Sequence, residues 1–323
     1  MSTHASDSHL LDGPPPRVRA GGPWPDAAGA APRTARVPRS HLAGVTDFEW
    51  TLNGRDVKAT LWYPALADEN ARPAHYGVCA GTALRDATAS APGWPLVVFS
   101  HGYLGSRVDQ AFLAERLARD GIASFAIDHV DPRRELQEIG EQLVRRRADL
   151  LAALRLLRAS PPGRRCHFPS LALIGHSAGA ATVLSCALQA RSEPGSRSDD
   201  MTGDAGLAHG IVLLAPALAS RFDSGELERL RMPILIVSAE HDHEPLYGGA
   251  AEYRARLSGV RSQVLRGGGH FSFINVCDPI VAKLAPKQCS GDPRPRAELH
   301  RELDVMVLDF LHEIAGSIIH SQG

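Results

Sequence analysis

The 323-residue sequence lacks the features that mark disulfide scaffolds, membrane proteins and nucleic-acid-binding proteins. It has five cysteines and no C-x-x-C pair, so neither a disulfide framework nor a structural zinc site is expected. No apolar run reaches the roughly 18 residues of a membrane-spanning helix. The formal net charge is only −1, which favours neither nucleic acid nor an anionic membrane as a partner.

The composition, with 44% apolar and 22% charged residues, is typical of a soluble globular protein. Residues 1–40 are rich in Pro, Gly and Ala and are predicted to form a disordered or extended leader. They show no apolar core behind a basic start, so no signal peptide is predicted and a cytoplasmic location is expected. Residues 41–323 are predicted to form a single catalytic domain.

Two short β-type runs open this domain, at 45–50 and 57–63, and Asn53-Gly54 between them is a strong hairpin signal. They predict an antiparallel edge to a larger sheet. Residues 66–93 are polar and are predicted to form an irregular surface excursion.

From residue 95 onward, β-type and α-type segments alternate, which is typical of a parallel sheet with helices on both faces. The fold class is therefore α/β, with a mostly parallel central sheet of about eight strands. Further strands are predicted at 95–100, 122–127, 171–174, 211–214, 233–237 and 262–265. Helices are predicted at 110–120, 135–158, 180–191 and within 295–319.

Gly175-His-Ser-Ala-Gly179 fits the pattern G-x-S-x-G, directly after an apolar strand and before a helix. A strand-to-helix turn this sharp needs small residues two positions on either side of the serine. It lifts the hydroxyl clear of the sheet and aims the next helix N-terminus at the reacting oxygen. Ser177 is therefore the predicted nucleophile.

A serine hydroxyl needs a base, usually histidine, oriented by a carboxylate. Asp242 follows one late strand and His270 follows the next, in the order Ser…Asp…His that this turn predicts. Glu240 and Glu244 lie close enough to compete for the role of Asp242. The three glycines before His270 would let its ring approach the serine.

Acyl transfer also needs N–H donors for the developing oxyanion. The backbone N–H groups of Ala178 and Tyr103 are the predicted donors, with Leu104 as the alternative to Tyr103. His101 is interpreted as a structural residue that pins this loop. Leu104, His176 and Phe271 are predicted to contact the substrate.

Two features leave alternatives open. The charged run at 132–148 is interpreted as a solvated helix face or, alternatively, as the source of an arginine that contacts an acidic substrate. Cys277 and Cys289 flank one loop and would bridge only in an oxidising compartment, which no export signal supports.

Together these motifs resemble the α/β-hydrolase superfamily across roughly residues 45–318. Within it, the segments 99–103, 175–179 and 269–273 look like the dienelactone-hydrolase-like group, which includes platelet-activating-factor acetylhydrolases and polyester hydrolases. The segments 61–65 and 277–303 also look like that group. The resemblance implies an α/β-hydrolase fold and ester or lactone cleavage by a Ser-His-Asp triad, without metal or organic cofactor. True dienelactone hydrolases use Cys as the nucleophile, so the dienelactone substrate itself is not implied.

The sequence thus predicts a serine esterase that acts on a small-molecule ester through an acyl-enzyme. An acyltransferase or cyclase would use the same triad with another acceptor, and an amidase or protease would differ only in its pocket. A binding protein that has kept the fold without activity is the remaining alternative. The acyl and alcohol groups and the oligomeric state are not indicated by the sequence.

Overall fold

The computed structural model describes residues 41–321, except 53, 69, 78, 132–138, 169, 193–207, 224, 244–246 and 290–291. The predicted leader, residues 1–40, lies outside the described residues. The division into leader and single catalytic domain therefore stays a prediction.

The described residues form one ten-stranded sheet. Its strands are β1 (Leu42–Leu52), β2 (Arg55–Ala65), β3 (Arg72–Tyr76), β4 (Cys79–Arg85), β5 (Leu96–Ser100), β6 (Ala123–Ile127), β7 (Ser170–His176), β8 (Ala208–Leu214), β9 (Ile234–Ala239) and β10 (Val260–Leu265). Their order is β10-β9-β8-β7-β5-β6-β2-β1-β4-β3. The six strands from β5 to β10 run parallel, and β1 and β2 pair antiparallel beside them. The predicted α/β fold with its antiparallel edge is confirmed.

All eight predicted strands are present, but the irregular excursion predicted at 66–93 is wrong. This segment contains β3 and β4, which pair antiparallel with each other, while β4 also pairs with β1. Only Ala74, Tyr76 and Ala83 of these strands are buried. Two strands at the end of the sheet with so few buried positions, filled partly by alanine, give a weak periodic signal.

The helices cover both faces of the sheet, as predicted. They are α1 (Ala111–Arg119), α2 (Ile139–Ala159), α3 (Ala178–Ser192), α4 (Ala250–Arg256), α5 (Pro279–Leu284), α6 (Pro286–Cys289) and α7 (Arg296–Ser321). Helices α1 and α7 pack on one face, and α2, α3 and α4 pack on the other. The short helices α4, α5 and α6 were not predicted, because each is too brief to show a helical period.

The strands are buried on both faces, as parallel strands under two helical layers must be. In β5, for example, Val97 and Phe99 join the core beneath α1 and α7, whereas Leu96 and Val98 join the opposite core. Because β5, β7, β9 and β10 are parallel, the loops after them emerge at one edge of the sheet. The predicted site residues lie on these loops.

Two further features are a disulfide and the character of the helices. Cys277 and Cys289 form a disulfide, so the alternative that the sequence left open is resolved in favour of the bridge. None of the described helices combines the length and apolarity needed to cross a bilayer.

Candidate active site

Ser177 lies in the sharp turn between β7 and α3, where its φ is +53°. A Cβ on Gly175 would collide with the Gly179 carbonyl, and a Cβ on Gly179 would collide with the carbonyl of Ser100. Only glycine therefore fits at both positions. This is the steric reason for the G-x-S-x-G spacing of the motif.

The structure brings Ser177, His270 and Asp242 together. Ser177 Oγ lies 2.9 Å from His270 Nε2. On the other side of the ring, His270 Nδ1 lies 3.1 Å from both carboxylate oxygens of Asp242. The side chains of His270 and Asp242 are 8% and 12% exposed, so the pair is largely shielded from water.

The competing carboxylates do not take the position of Asp242. Glu240 accepts a hydrogen bond of 2.8 Å from the backbone N–H of Gly267, at the start of the turn that carries His270. It thereby supports the histidine turn from outside the triad. Glu244 lies outside the described residues.

The loop after β5 is held by a buried ion pair between Arg146 and Asp131, whose side chains are 5% and 3% exposed. Arg146 Nε donates to Asp131 at 2.8 Å. The same guanidinium donates to the carbonyls of His101 and Gly102, each at 2.9 Å. Asp131 in turn accepts the backbone N–H of Leu104 at 3.1 Å. The loop is thus fixed from both ends by one pair of charges.

This arrangement affects the predicted oxyanion donors. Leu104 was the predicted alternative to Tyr103 as an oxyanion donor, but its N–H already donates to Asp131. Tyr103 and Ala178 line one cavity beside the serine turn, which keeps both as candidates. Their role stays a prediction. The Gly102 carbonyl accepts a hydrogen bond from Arg146, which holds it there and keeps its negative oxygen from facing a developing oxyanion.

A cluster of buried histidines underlies the same loop. His101 Nε2 accepts the backbone N–H of His129 at 2.9 Å, and His129 Nε2 lies 2.8 Å from Ser100 Oγ. Burial, helped by the charge of Arg146, lowers the pKa of His101 to about 4 and holds the pKa of His129 well below its usual value. Both rings are therefore neutral near pH 7. His101 pins the loop through hydrogen bonds, as interpreted from the sequence.

His176 lies beneath the triad, 4% exposed. Its Nε2–H donates to the backbone carbonyl of His270 at 3.0 Å, and burial, helped by the adjacent His270, lowers its pKa to about 3. His176 thus supports the histidine turn as a neutral ring. Its predicted contact with substrate stays untested.

A second buried ion pair holds the turn that carries His270. Asp292 and Arg296, 7% and 6% exposed, contact each other at 2.8 Å. Asp292 accepts hydrogen bonds from Gly269 N–H and Ser272 Oγ. Arg296 donates to the carbonyls of Asn275 and Gln288, the latter inside the segment closed by the disulfide. The disulfide, the ion pair and the histidine turn are therefore linked in one chain of contacts.

Sequence reasoning missed both ion pairs. In the charged run, Arg145 is exposed as a solvated face would require, but Arg146 is buried. A signal was available, since Gln142, Arg146 and Asp149 fall at helical spacing on the buried side of α2. Other members of that run, Arg133, Arg134, Glu135 and Glu138, lie outside the described residues.

A cavity opens beside the serine turn, with about 210 Å³ of empty space that includes its opening to solvent. Its lining residues are Tyr103, Gln142, Leu143, Arg146, Ala178 and Leu218. Two residues predicted to contact substrate lie elsewhere on the surface around the site. Leu104 is 55% exposed, and the half-buried Phe271 stands edge-on to His270 with ring centroids 5.3 Å apart. Their roles remain predictions.

Within the described part of the chain, no group of three or more His, Cys, Asp or Glu side chains is arranged to hold a metal ion. The chemical groups that converge here are a hydroxyl, an imidazole and a carboxylate. Such a set is suited to nucleophilic attack on an acyl carbon.

Comparison with known proteins identifies the fold. No protein-family model matches the sequence, and no curated protein matches it. Among solved structures, a ferulic acid esterase from Streptomyces cinnamoneus matches with a TM-score of 0.65 and 20% identity, covering 87% of this chain and 92% of the esterase. A dienelactone hydrolase from Anabaena variabilis matches with a TM-score of 0.48 and 17% identity, over 77% and 97% of the two chains. A predicted CIB-like hydrolase from Thermoplasma acidophilum matches with a TM-score of 0.47 and 16% identity, over 84% and 99%.

The chain therefore has the α/β-hydrolase fold, as the motifs led us to expect. At 20% identity the likeness to the esterase concerns the fold alone. The narrower resemblance to the dienelactone-hydrolase-like group stays a prediction.

Proposed function

We propose that the protein is a serine hydrolase that cleaves a carboxylic ester. The observation that carries the proposal is the contact of 2.9 Å between Ser177 Oγ and His270 Nε2, with Asp242 on the opposite ring nitrogen. Hydrogen-bond reach from nucleophile to base, and from base to an orienting acid, is the geometry of an activated nucleophile. The esterase named among the structures of the same fold agrees with this chemistry.

In the first step, Ser177 attacks the ester carbonyl while His270 Nε2 accepts its proton. Asp242 accepts the Nδ1–H of His270, which fixes the tautomer and stabilises the imidazolium. The oxyanion is stabilised by the N–H of Ala178 and by that of Tyr103, on the loop that Arg146 fixes. His270 then donates its proton to the leaving alcohol, and the acyl-enzyme remains.

In the second step, His270 accepts a proton from water, which attacks the acyl carbon. His270 then returns this proton to Ser177 Oγ as the bond from Oγ to the acyl carbon breaks and the acid is released. The substrate is a small-molecule ester or lactone. An acyltransferase or cyclase would replace water with another acceptor, and an amidase would cleave a C–N bond instead.

The test is hydrolysis of p-nitrophenyl acetate by the wild type, Ser177→Ala and the control Ser262→Ala, which lies exposed on β10. We expect Ser177→Ala to lower kcat by at least about 10³-fold, because the nucleophile is lost. The control should keep its rate, and labelling by a fluorophosphonate should require Ser177. Retained turnover in Ser177→Ala would refute the proposal.

Adding an alcohol or an amine to the same assay separates hydrolysis from acyl transfer. A hydrolase should release the free acid as its main product, whereas a transferase should form the new ester or amide. Amide substrates cleaved as fast as the matching esters would favour the amidase.

The cytoplasmic location expected from the sequence stays a prediction. The disulfide between Cys277 and Cys289 weighs against it, because such bonds persist mainly in oxidising compartments.

A further inference from the structure

A group of hydrogen bonds joins the histidine turn to the start of α1 and has no part in the proposed mechanism. Asn275 lies at the end of that turn. Its Nδ2 donates to the carbonyl of Val108 at 2.7 Å, and its backbone N–H donates to the carbonyl of Asp109 at 2.7 Å. Its Oδ1 accepts the backbone N–H of Phe112 at 3.1 Å. Asn275 therefore bonds to three residues in or directly before the first turn of α1.

These bonds replace a cap that α1 does not supply itself. The first N–H groups of a helix have no partner within it. Gln110, at the N-cap position, makes no capping bond with its side chain, so the N–H of Phe112 is satisfied by Asn275 instead. The buried amide of Gln110 donates in the opposite direction, to the carbonyl of Phe273 at 3.2 Å. The side chains of Gln110 and Asn275 thus form a reciprocal clasp, in which each bonds the backbone of the other's segment.

On the α1 side, the clasp is connected to the loop that carries Tyr103. Asp109 donates its N–H to the carbonyl of Ser106 at 3.1 Å and accepts the hydroxyl of Ser106 at 2.7 Å. The N–H of Gly105 in turn donates to the carbonyl of Gly102 at 3.2 Å. Consecutive turns therefore fill the segment from the clasp back to Tyr103, so a shift at Asp109 would be passed along this segment.

On the other side, the clasp is connected to the catalytic base. Residues His270–Phe273 form a single turn of 3₁₀ helix, so a shift at Phe273 would move the backbone of His270. The carbonyl of Asn275 also accepts a bond from Arg296 at 3.2 Å. The clasp thus lies between the two loops that the ion pairs hold, whereas each ion pair bonds within its own side.

We propose that Asn275, together with Gln110, is a positioning residue that sets the separation between the backbone donor of Tyr103 and the imidazole of His270. Acyl transfer needs both groups in place at once, and an error of about 1 Å in such a group can cost about 10²-fold in rate. The inference rests on the proposed function. Asn275 acts through other residues and not by contact with the substrate.

The experiment compares the wild type with three variants on p-nitrophenyl acetate, at a temperature where circular dichroism shows all four to be folded. Asn275→Ala removes both side-chain bonds and leaves the backbone bond. Gln110→Met keeps the length of the side chain and removes its amide. The control, Tyr63→Phe, removes the buried bond of the hydroxyl to the carbonyl of Ala87, which lies at the opposite edge of the sheet.

We expect Asn275→Ala to lower kcat by about tenfold and to leave KM within about twofold, because the reacting groups are misplaced while ground-state binding is kept. Gln110→Met should lower kcat by less, since it loses one bond. The inhibition constant of 1,1,1-trifluoroacetone should rise by the factor by which kcat/KM falls, because its tetrahedral adduct with Ser177 resembles the transition state. Tyr63→Phe should lower the denaturant midpoint and keep kcat.

Other results overturn the inference. If kcat in Asn275→Ala and Gln110→Met stays within about twofold of the wild type, the clasp does not position the loops. An equal fall of kcat in Tyr63→Phe would assign the effect to general destabilisation, and a rise in KM alone would make Asn275 a substrate contact. If Asn275→Ala does not fold, Gln110→Met decides the question.

The two proposals fail in different ways. A wild type that does not hydrolyse the ester removes the proposed function and this inference with it. A wild type that hydrolyses the ester no faster than its clasp variants removes this inference alone.

Discussion

The two loops that meet at Ser177 are held by the same kind of contact but differ in what supports that contact. On one side, Arg146 and Asp131 fix the loop after β5. On the other, Arg296 and Asp292 fix the turn that carries His270. In both cases a buried guanidinium also donates to backbone carbonyls, while its carboxylate accepts a backbone N–H.

The difference is covalent. The carbonyl of Gln288, which Arg296 contacts, lies between Cys277 and Cys289, so the histidine side is tied by a disulfide. Among the described residues around the loop after β5, no disulfide supports the pair of Arg146 and Asp131. Buried ion pairs add geometric definition more readily than stability. We therefore expect the loop after β5 to be displaced more easily than the histidine turn when its ion pair is weakened.

The largest effect is expected from Arg146→Lys compared with Arg296→Lys. Lysine keeps the charge, but its three donors sit on one nitrogen, whereas Arg146 makes four hydrogen bonds from three nitrogens of its planar guanidinium. We expect Arg146→Lys to lower kcat by about 10²-fold with little change in KM, because a displacement of about 1 Å in an oxyanion donor costs that much. Arg296→Lys should lower kcat less than about tenfold. Steady-state kinetics with p-nitrophenyl acetate measure both values.

Equal losses in the two variants would contradict the comparison, and so would a larger loss in Arg296→Lys. Circular dichroism at the assay temperature should show that both variants are folded.

The second effect concerns the disulfide itself. Replacing Cys277 and Cys289 by serine should lower the free energy of unfolding by roughly 3 kcal/mol, as expected for a cross-link spanning 12 residues. Denaturant titration measures this change, and wild type treated with a reductant should match the double variant. We expect kcat to fall only a few-fold, because the pair of Asp292 and Arg296 remains.

In the background without the disulfide, Arg296→Lys should lower kcat by more than the product of the two separate effects, since the contacts are linked. Strict additivity would show that the disulfide does not support the histidine turn.

The smallest expected effect is a loss of protein stability in acid, to which both loops contribute. One buried histidine lies on each side: His101 in the loop after β5, and His300, whose Nε2–H donates to the carbonyls of Ser272 and Ile274 in the histidine turn. Burial lowers the pKa of each to about 4. The unfolded chain, with a histidine pKa near 6.5, binds more protons between pH 6.5 and pH 4. Stability is therefore complete above about pH 6.5 and falls as the pH drops toward 4.

At pH 5.5 the loss should be on the order of 1 kcal/mol for each of these histidines. Denaturant midpoints measured from pH 7.5 to pH 4.5 test this, with His101→Gln and His300→Gln each reducing the slope. Slopes equal to that of the wild type in both variants would remove the histidines as the cause.

Much of the fold, and the proximity of Ser177, His270 and Asp242, could be predicted because the determining signals are local. Gly175 and Gly179 are required by contacts within a few residues of Ser177, or with the neighbouring strand β5. Asp242 and His270 each follow a strongly apolar or β-type strand, and parallel strands bring such positions to one edge. These relations depend on chain order and residue type alone.

The contacts that hold the loops in place, such as the ion pair of Arg146 and Asp131, could not be predicted in the same way. Arg146 and Asp131 are separated along the chain, and a charged residue on a helix is usually exposed. The helical spacing of Gln142, Arg146 and Asp149 places them on one face of α2, but it is the packing of the helix that shows this face to be buried. Strands β3 and β4 were missed for a related reason, since the pairing of β4 with β1 and of β3 with β4 supplies an order that their own composition does not indicate.

A last consequence concerns the backbone at this edge of the sheet. Of the six non-glycine residues with left-handed backbone in the described chain, five lie there: Leu104, Ser177, Ala215, Leu218 and Tyr247. Each such conformation costs on the order of 1–3 kcal/mol and persists only while its neighbours enforce it. On warming, this edge should relax before the sheet melts. Catalysis would then fade at a lower temperature than the one at which the protein unfolds.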